Sequence, residues 1–254
     1  MHPIRFEQVS FQYEQTPVIT SWTLDVPAGI TSLTGPNGSG KSTFLILASG
    51  RFLPAEGTVL LQGRDTRSLD ETTRNRLASL LYQNMEFENE EPLGELLEYV
   101  QSVGFLTDRS AERRASVTKI FELDALLSRK TQQLSKGEMQ RAVMAFSLLY
   151  GSSVVVMDEP IFALEDHQKH KALKFLGEFT QELGVSFLFS VHELELTRQY
   201  SQNVLLFSKD APPLVGPTLE VLSRENLEAA YQVPAALLHQ KERLYRDSLL
   251  QEKK

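Results

Sequence analysis

Gly35-Pro36-Asn37-Gly38-Ser39-Gly40-Lys41-Ser42 stands between an apolar run, Ile30 to Leu33, and a stretch with helical apolar spacing at Phe44, Leu45 and Leu47. The pattern is G-x-x-x-x-G-K-[ST], and its strand–loop–helix setting is the one the pattern requires. Glycines let consecutive backbone N–H groups turn inward around an anion, and a helix beginning at Lys41 adds its positive end. Such a loop cradles nucleotide phosphates with Gly35, Pro36, Asn37, Gly38, Ser39 and Gly40. Lys41 then reaches the β- and γ-phosphates, the Ser42 hydroxyl takes a Mg²⁺ position, and Thr43 follows in the first turn. A glycine-rich turn with a solvated lysine is the plain alternative, and the flanking strand and helix count against it.

Outward from the loop, the first 35 residues read as β-rich. Arg5 to Phe11 alternates, and Val18 to Val26 mixes apolar and polar residues. The helix from Lys41 stops at Gly50. Pro54 and Gly57 mark a turn before a strand from Thr58 to Leu61, which Gly63 ends. A short helix over Thr72 to Ala78 and a buried strand at Leu80-Leu81-Tyr82 follow. After Gln83 the character changes. Glu86 to Glu91 is acidic, and helical spacing (Leu93, Leu96, Leu97, Val100) continues to about Tyr150. Strands return at Val154 to Met157, Val185 to Phe189 and Val204 to Phe207, with a helix from Gln168 to Leu183 between. Alternating strands and helices imply an α/β fold with a largely parallel sheet. The expected organisation is one domain over 1–254, with a core of 1–83 and 150–254 and a helical insert at 84–149. Lys241 to Lys254 reads as a charged helical tail.

Composition removes several function classes. The chain of 254 residues has 33 acidic against 26 basic groups, a net charge of −7. Nucleic acid is therefore not an expected partner, since phosphate neutralisation along a strand needs clustered Lys and Arg. The absence of cysteine excludes disulfides, a thiolate zinc site and a Cys nucleophile. The start, MHPIRFEQVS, lacks a secretory-signal profile. The uncharged stretch from Ala142 to Met157 is shorter than the roughly 20 residues of a spanning helix and is broken at Gly151-Ser152-Ser153. It reads as a buried helix, a turn and a buried strand, so a soluble, cytoplasmic protein is expected.

Val154-Val155-Val156-Met157-Asp158-Glu159 is an apolar run ending in two carboxylates. A buried parallel strand delivers its C-terminal end to the ligand crevice. There Asp158 can hold Mg²⁺ and Glu159 can polarise an attacking water. Taken alone, such acids more often cap a helix. Beside a phosphate loop the chemical reading prevails.

Leu134-Ser135-Lys136-Gly137-Glu138-Met139-Gln140-Arg141 opens a helix before that strand. Here the chain resembles the ABC ATPase family, whose signature reads LSGGQ and whose phosphate loop usually reads GPNGSGKST. The resemblance runs from Val9 to about Phe207. It implies a P-loop NTPase (RecA-like) core with an N-terminal antiparallel β part and an inserted α-helical subdomain, binding and hydrolysing ATP with Mg²⁺. Residue by residue, it implies that Tyr13 stacks on adenine and that Gln83 senses Mg²⁺ and links the core to the insert. It also makes His192 the γ-phosphate switch beside Glu159. Ser135 and Gly137 would offer a hydroxyl and a backbone N–H to a γ-phosphate held by a facing subunit. Two copies would then close head to tail around ATP and reopen after hydrolysis.

The family's transport subunits of this size imply a separate transmembrane permease as partner, with this chain peripheral on the inner face of the membrane. Leu222 to Tyr231 is similar to a block in importer ATPases for iron chelates, haem and vitamin B12, which implies import and an external solute-binding protein acting through the permease. A soluble ABC ATPase of a cytosolic assembly complex, such as iron–sulfur cluster assembly, is the alternative; those carry a glutamate where Glu138 stands. A P-loop kinase is disfavoured by Leu134 to Arg141. The acidic segment Glu86, Glu88, Glu90 and Glu91 is a candidate receiver for a basic partner helix.

Lys136 and Glu138 depart from the signature, and Glu165 stands where the family has aspartate at the dimer seam, with bulky Phe162 in the same loop. A carboxylate displaced by about 1 Å can cost on the order of 100-fold in rate. Glu165→Asp is therefore expected to raise steady-state ATP turnover when both proteins are compared at equal dimer occupancy. Equal or lower turnover would mark Glu165 as an accommodated substitution.

Overall fold

The computed structural model describes residues 2–83, 85, 87–209, 211–234 and 237–238. The expectations placed on Glu86 and on the tail from Lys241 to Lys254 lie outside them. Two sheets organise the chain. A four-stranded antiparallel sheet has the order β2-β1-β4-β5, from β1 (Ile4–Tyr13), β2 (Thr16–Val26), β4 (Glu56–Leu61) and β5 (Arg64–Asp65). A six-stranded sheet has the order β10-β9-β3-β8-β7-β6. Its strands are β3 (Ile30–Thr34), β6 (Ala78–Leu81), β7 (Val154–Met157), β8 (Ser186–Ser190), β9 (Asn203–Leu206) and β10 (Leu214–Pro217). All of its pairs are parallel except β10 with β9. This is the mixed α/β fold expected.

In β1 the alternation Ile4, Phe6 buried and Arg5, Glu7 exposed breaks at Gln8, whose φ is 51°. The register with β2 and β4 shifts there, and the extra residue returns Val9 to the core. Gly57 makes the bulge packable: at φ 77°, a Cβ on it would lie 2.2 Å from the Gln8 carbonyl oxygen.

Beyond its first turn, helix α1 (Lys41–Ala48) is apolar on every side, and Phe44, Leu45, Leu47 and Ala48 are buried in one core with residues of both sheets. Phe44 stacks on Phe6 with ring centroids 4.5 Å apart and meets Phe207 at 5.6 Å. Trp22, the chain's single tryptophan, closes the cluster 5.8 Å from Phe207. Full burial of Phe44 is worth roughly 2–3 kcal/mol, and it anchors the helix that begins at Lys41.

Helix α2 (Glu71–Leu77) is capped by Asp70, whose carboxylate accepts from the Thr73 N–H. The helix ends one residue before the expected limit, because Ala78 already has extended dihedrals and pairs with Val154. Tyr82 is likewise outside β6. Between β6 and β7 lie α3 (Leu93–Val103), α4 (Ala111–Ile120) and α5 (Lys136–Tyr150). Leu93, Leu96 and Leu97 form the buried stripe of α3, and Leu93 and Leu97 join α5 residues such as Val143 in one core. Helix α6 (Asp166–Leu183) covers the other strands through Leu173, Leu176 and Phe179.

The remaining elements were not read from sequence: α7 (Leu194–Tyr200), α8 (Thr218–Val221), α9 (Arg224–Tyr231) and β10. Leu194 and Leu196 alternate like a strand, and β10 carries Gly216 and Pro217, which only an edge strand tolerates. Among the described residues no helix is long and apolar enough to cross a membrane.

Gly151 ends α5 in the left-handed region at φ 76°, and a Cβ there would lie 2.5 Å from the Leu106 backbone nitrogen. Gly151→Ala therefore combines a disfavoured left-handed dihedral with overpacking against backbone. A loss of roughly 2–3 kcal/mol in urea unfolding is expected.

Candidate functional site

The strand order brings the chemistry together. β7 lies between β8 and β6, so residues just beyond the ends of all three emerge at one edge. Asp158 and Glu159 leave β7, Ser190 closes β8 with His192 two residues on, and Gln83 follows β6. β3, on the far side of β8, ends at Thr34 and delivers the phosphate loop to the same edge.

The loop's conformation depends on glycine at specific points. Gly35 sits at φ 140°, with a would-be Cβ 2.5 Å from the Phe207 carbonyl oxygen. Gly40, at φ 93°, is the N-cap of α1. Gly38, at φ 75°, has open space where a side chain would go. Ser39 Oγ donates to the Pro36 carbonyl at 2.8 Å. Lys41 Nζ donates to the carbonyls of Gly35 (2.9 Å) and Pro36 (3.0 Å). Burial pushes the Lys41 pKa down, opposed by the negative charges of Glu159 and Asp158. A buried ammonium on a glycine cradle is an anion site with its cation already in place. Ser42 is exposed in the first turn of α1. Thr43 Oγ1 donates to the Tyr13 hydroxyl at 3.4 Å, which sets the exposed Tyr13 ring beside the loop, edge-on to Phe11 and Phe52.

Glu159 is the meeting point. Its Oε2 accepts from Gln83 Nε2 at 2.9 Å, and its Oε1 lies 2.7 Å from His192 Nε2. Its φ of 50° is a left-handed conformation that costs a non-glycine residue about 1–2 kcal/mol. The Glu159 N–H donates to Ser190 Oγ at 2.8 Å, and that hydroxyl donates to Asp158 Oδ1 at 2.6 Å. The three residues singled out for catalysis thus form one hydrogen-bonded cluster. Ser190 was missed, because a serine closing the strand Ser186-Phe187-Leu188-Phe189-Ser190 has no signal beyond lying two residues before His192.

Ser135 is the N-cap of α5, and Glu138 completes a capping box. The Ser135 N–H donates to Glu138 Oε2 at 2.7 Å, and the Glu138 N–H donates to Ser135 Oγ at 3.3 Å. Arg129 NH1 lies 3.5 Å from Glu138 Oε1. The glutamate at this position therefore has a local cause and a local counter-charge. Gly137 packs against the turn after Glu159, where a Cβ would lie 3.0 Å from the Ala163 carbonyl oxygen. No hydrogen bond of Ser135 or Gly137 reaches the phosphate loop among the described residues. Glu165 caps α6 with an exposed carboxylate 3.6 Å from His167 Nδ1. Glu90 is paired with Lys130, so within the acidic segment Glu88 and Glu91 are the exposed acids outside that pair.

A family model described as ABC transporter matches residues 20–162. The chain belongs to the ABC transporter family. It is 30% identical over 225 residues to the hemin import ATP-binding protein HmuV of Idiomarina loihiensis, covering 85% of this chain and 86% of that protein. It is 26% identical to the iron(3+)-hydroxamate import ATP-binding protein FhuC of Bacillus subtilis over 94% of this chain and 91% of that one. The fold matches a dimeric ATP-binding cassette in a post-hydrolysis state bound to ADP and Pi. The TM-score is 0.73 at 21% identity, over 85% of this chain and 98% of that one. The chain is accordingly an ABC ATPase that binds and hydrolyses ATP.

The donor set also suits Mg²⁺. No cluster of three or more acidic, His or Cys ligands exists among the described residues, and Mg²⁺ needs none, taking one or two carboxylates with phosphate oxygens and water. Asp158 offers one carboxylate, and the Ser42 hydroxyl and Gln83 amide oxygen are neutral oxygen donors that Mg²⁺ also accepts.

The Ser135 N–H holds the Glu138 carboxyl below its usual range. A group whose pKa is lowered by folding stabilises the fold above its unfolded value, 4.5, and loses that contribution as pH falls through the folded value. Glu138→Gln keeps the capping box and removes the charge. It is expected to cost about 0.3–1 kcal/mol at pH 7, with the difference from wild type shrinking as pH falls below 4.5 in urea unfolding of the protein without nucleotide.

Proposed function

We propose that this ATPase drives import through a separate membrane permease, by closing two copies head to tail around ATP. The observation that carries its chemistry is the convergence of Gln83 and His192 on the Glu159 carboxylate. Glycine N–H groups and Lys41 bind the phosphates. Asp158, Ser42 and Gln83 hold Mg²⁺, which neutralises developing phosphate charge when bound. Glu159 orients and deprotonates the attacking water, and His192 contacts the γ-phosphate. Gln83 and His192 each engage one Glu159 oxygen, and the second lone pair of either oxygen can accept from the water.

Tyr13 supplies a ring for adenine. Ser135 and Gly137, at the N-terminus of α5, complete the site of the facing copy, where the helix field favours the γ-phosphate. The division into a core of 1–83 and 150–254 with a helical insert at 84–149 gives the signature its own mobile body. A groove of about 490 Å³ is lined by Phe87, Leu134 and Met139 with Glu88 and Lys136 at hand, and it receives the permease. Import is supported by the haem and iron-hydroxamate importers among the relatives and by Leu222 to Tyr231. With such a partner the chain sits at the inner face of the membrane, and any external solute-binding protein acts through the permease.

Glu159→Gln removes the base while keeping size and hydrogen bonding. Turnover should fall by at least about 100-fold, with ATP binding retained and a nucleotide-bound dimer accumulating on size-exclusion chromatography. Wild-type hydrolysis by this variant would sink the assignment. His192→Ala should also lose turnover and keep ATP binding. Co-sedimentation of the chain with membranes, against recovery in a soluble complex, separates transport from cytosolic assembly.

A further inference from the structure

The hydroxyl of Ser190 touches both members of the Asp158-Glu159 pair, although the mechanism above gives it no part. We propose that Ser190 is a positioning residue that sets the carboxylate of Asp158 for Mg²⁺ and the backbone of Glu159 for water activation. The inference rests on the roles given to those two acids.

A serine hydroxyl has one proton to give and lone pairs to accept with. Here both directions are forced. The Glu159 N–H can only donate, at 2.8 Å, and the ionised Asp158 carboxylate can only accept, at 2.6 Å. The proton of Ser190 therefore points at Asp158 Oδ1 and holds the orientation in which the carboxylate's other lone pairs are presented to the metal. Ser190 is 1% exposed, so bulk water cannot replace it. Its own backbone is held between neighbours: it pairs with Leu33 across β3, and the following Val191 N–H donates to the Leu33 carbonyl.

Two further features depend on that anchor. Glu159 sits at φ 50°, and its N–H bond to Ser190 is what a relaxed backbone at this position would give up. Ser190 also leads directly to His192, whose Nε2 lies 2.7 Å from Glu159 Oε1. One hydroxyl thus ties the strand carrying the switch histidine to the strand end carrying both acids. An apolar residue would fill the same space in β8 without any of these bonds.

The test compares Ser190→Ala, Ser190→Thr and Ser190→Cys in the full chain. Removing a group that orients a metal-ligating carboxylate typically costs 10–100-fold in metal affinity or activity. Ser190→Ala should lower kcat by about 10–100-fold with the KM for ATP within about threefold. In a Glu159→Gln background, where turnover does not interfere, it should weaken Mn²⁺ binding to the ATP-loaded protein by about tenfold, read from the paramagnetic resonance of free Mn²⁺. ATP binding in EDTA, measured by calorimetry, should be unchanged. Ser190→Thr keeps the hydroxyl and should restore kcat and Mn²⁺ affinity. Ser190→Cys keeps the volume with a weak donor and reads the same loss if the alanine variant folds poorly.

Wild-type kcat and Mn²⁺ affinity without the hydroxyl would overturn the proposal. So would a threonine variant as impaired as alanine, or a parallel loss of metal-free ATP binding, which would make Ser190 a fold residue alone. Normal turnover by Glu159→Gln by itself would instead overturn the parent assignment, while the Mn²⁺ arm, repeated with a non-hydrolysable ATP analogue, would still report on Asp158.

Discussion

Strands β3, β7 and β8 are buried along their whole length, and that burial dictates where polar chemistry can occur. A parallel strand covered on both faces has no solvent side, so functional groups collect where the chain leaves it. The order β3-β8-β7-β6 then decides which exits are neighbours. The phosphate loop, His192, Glu159 and Gln83 come from four distant parts of the sequence and meet because of that order alone. Helix α1, clamped between the two sheets by Phe44, Phe6 and Phe207, gives the loop a fixed base.

The site concentrates unfavourable features that the surroundings keep in place. Lys41 is buried, Glu159 is left-handed, and the carboxylates of Asp158 and Glu159 are consecutive. Each is held by specific partners: loop carbonyls for Lys41, Ser190 for Asp158 and the Glu159 backbone, Gln83 and His192 for the Glu159 side chain. Strain held by a rigid frame is the usual mark of a site kept for chemistry.

Much of this was legible in the sequence, for reasons that differ by element. The phosphate loop is readable because its glycines are dictated by backbone geometry, as Gly35 and Gly40 show. β7 could be bounded as Val154 to Met157, since a run of valines ending in two acids has few other readings. By contrast, β10 and α7 are short and irregularly patterned, and their stability comes from tertiary packing that a local window does not contain. Ser190 illustrates the limit for sites. Its importance lies in two hydrogen bonds to residues more than thirty positions away, and nothing in its neighbourhood announces them. Glu138 marks the opposite case. It looks like a damaged signature in a family comparison, but locally it is a capping-box residue with Arg129 as counter-ion.

Trp22 has a consequence of its own. It is the single tryptophan of the chain, it is 5% exposed, and its ring edge comes within 4.0 Å of the point where a Cβ on Gly40 would sit. The chain therefore carries one indole fluorophore beside its seven tyrosines, and it is built into the wall of the phosphate loop. Its emission reports on the loop's packing without contribution from any other indole, and reading it requires no label and no engineered cysteine.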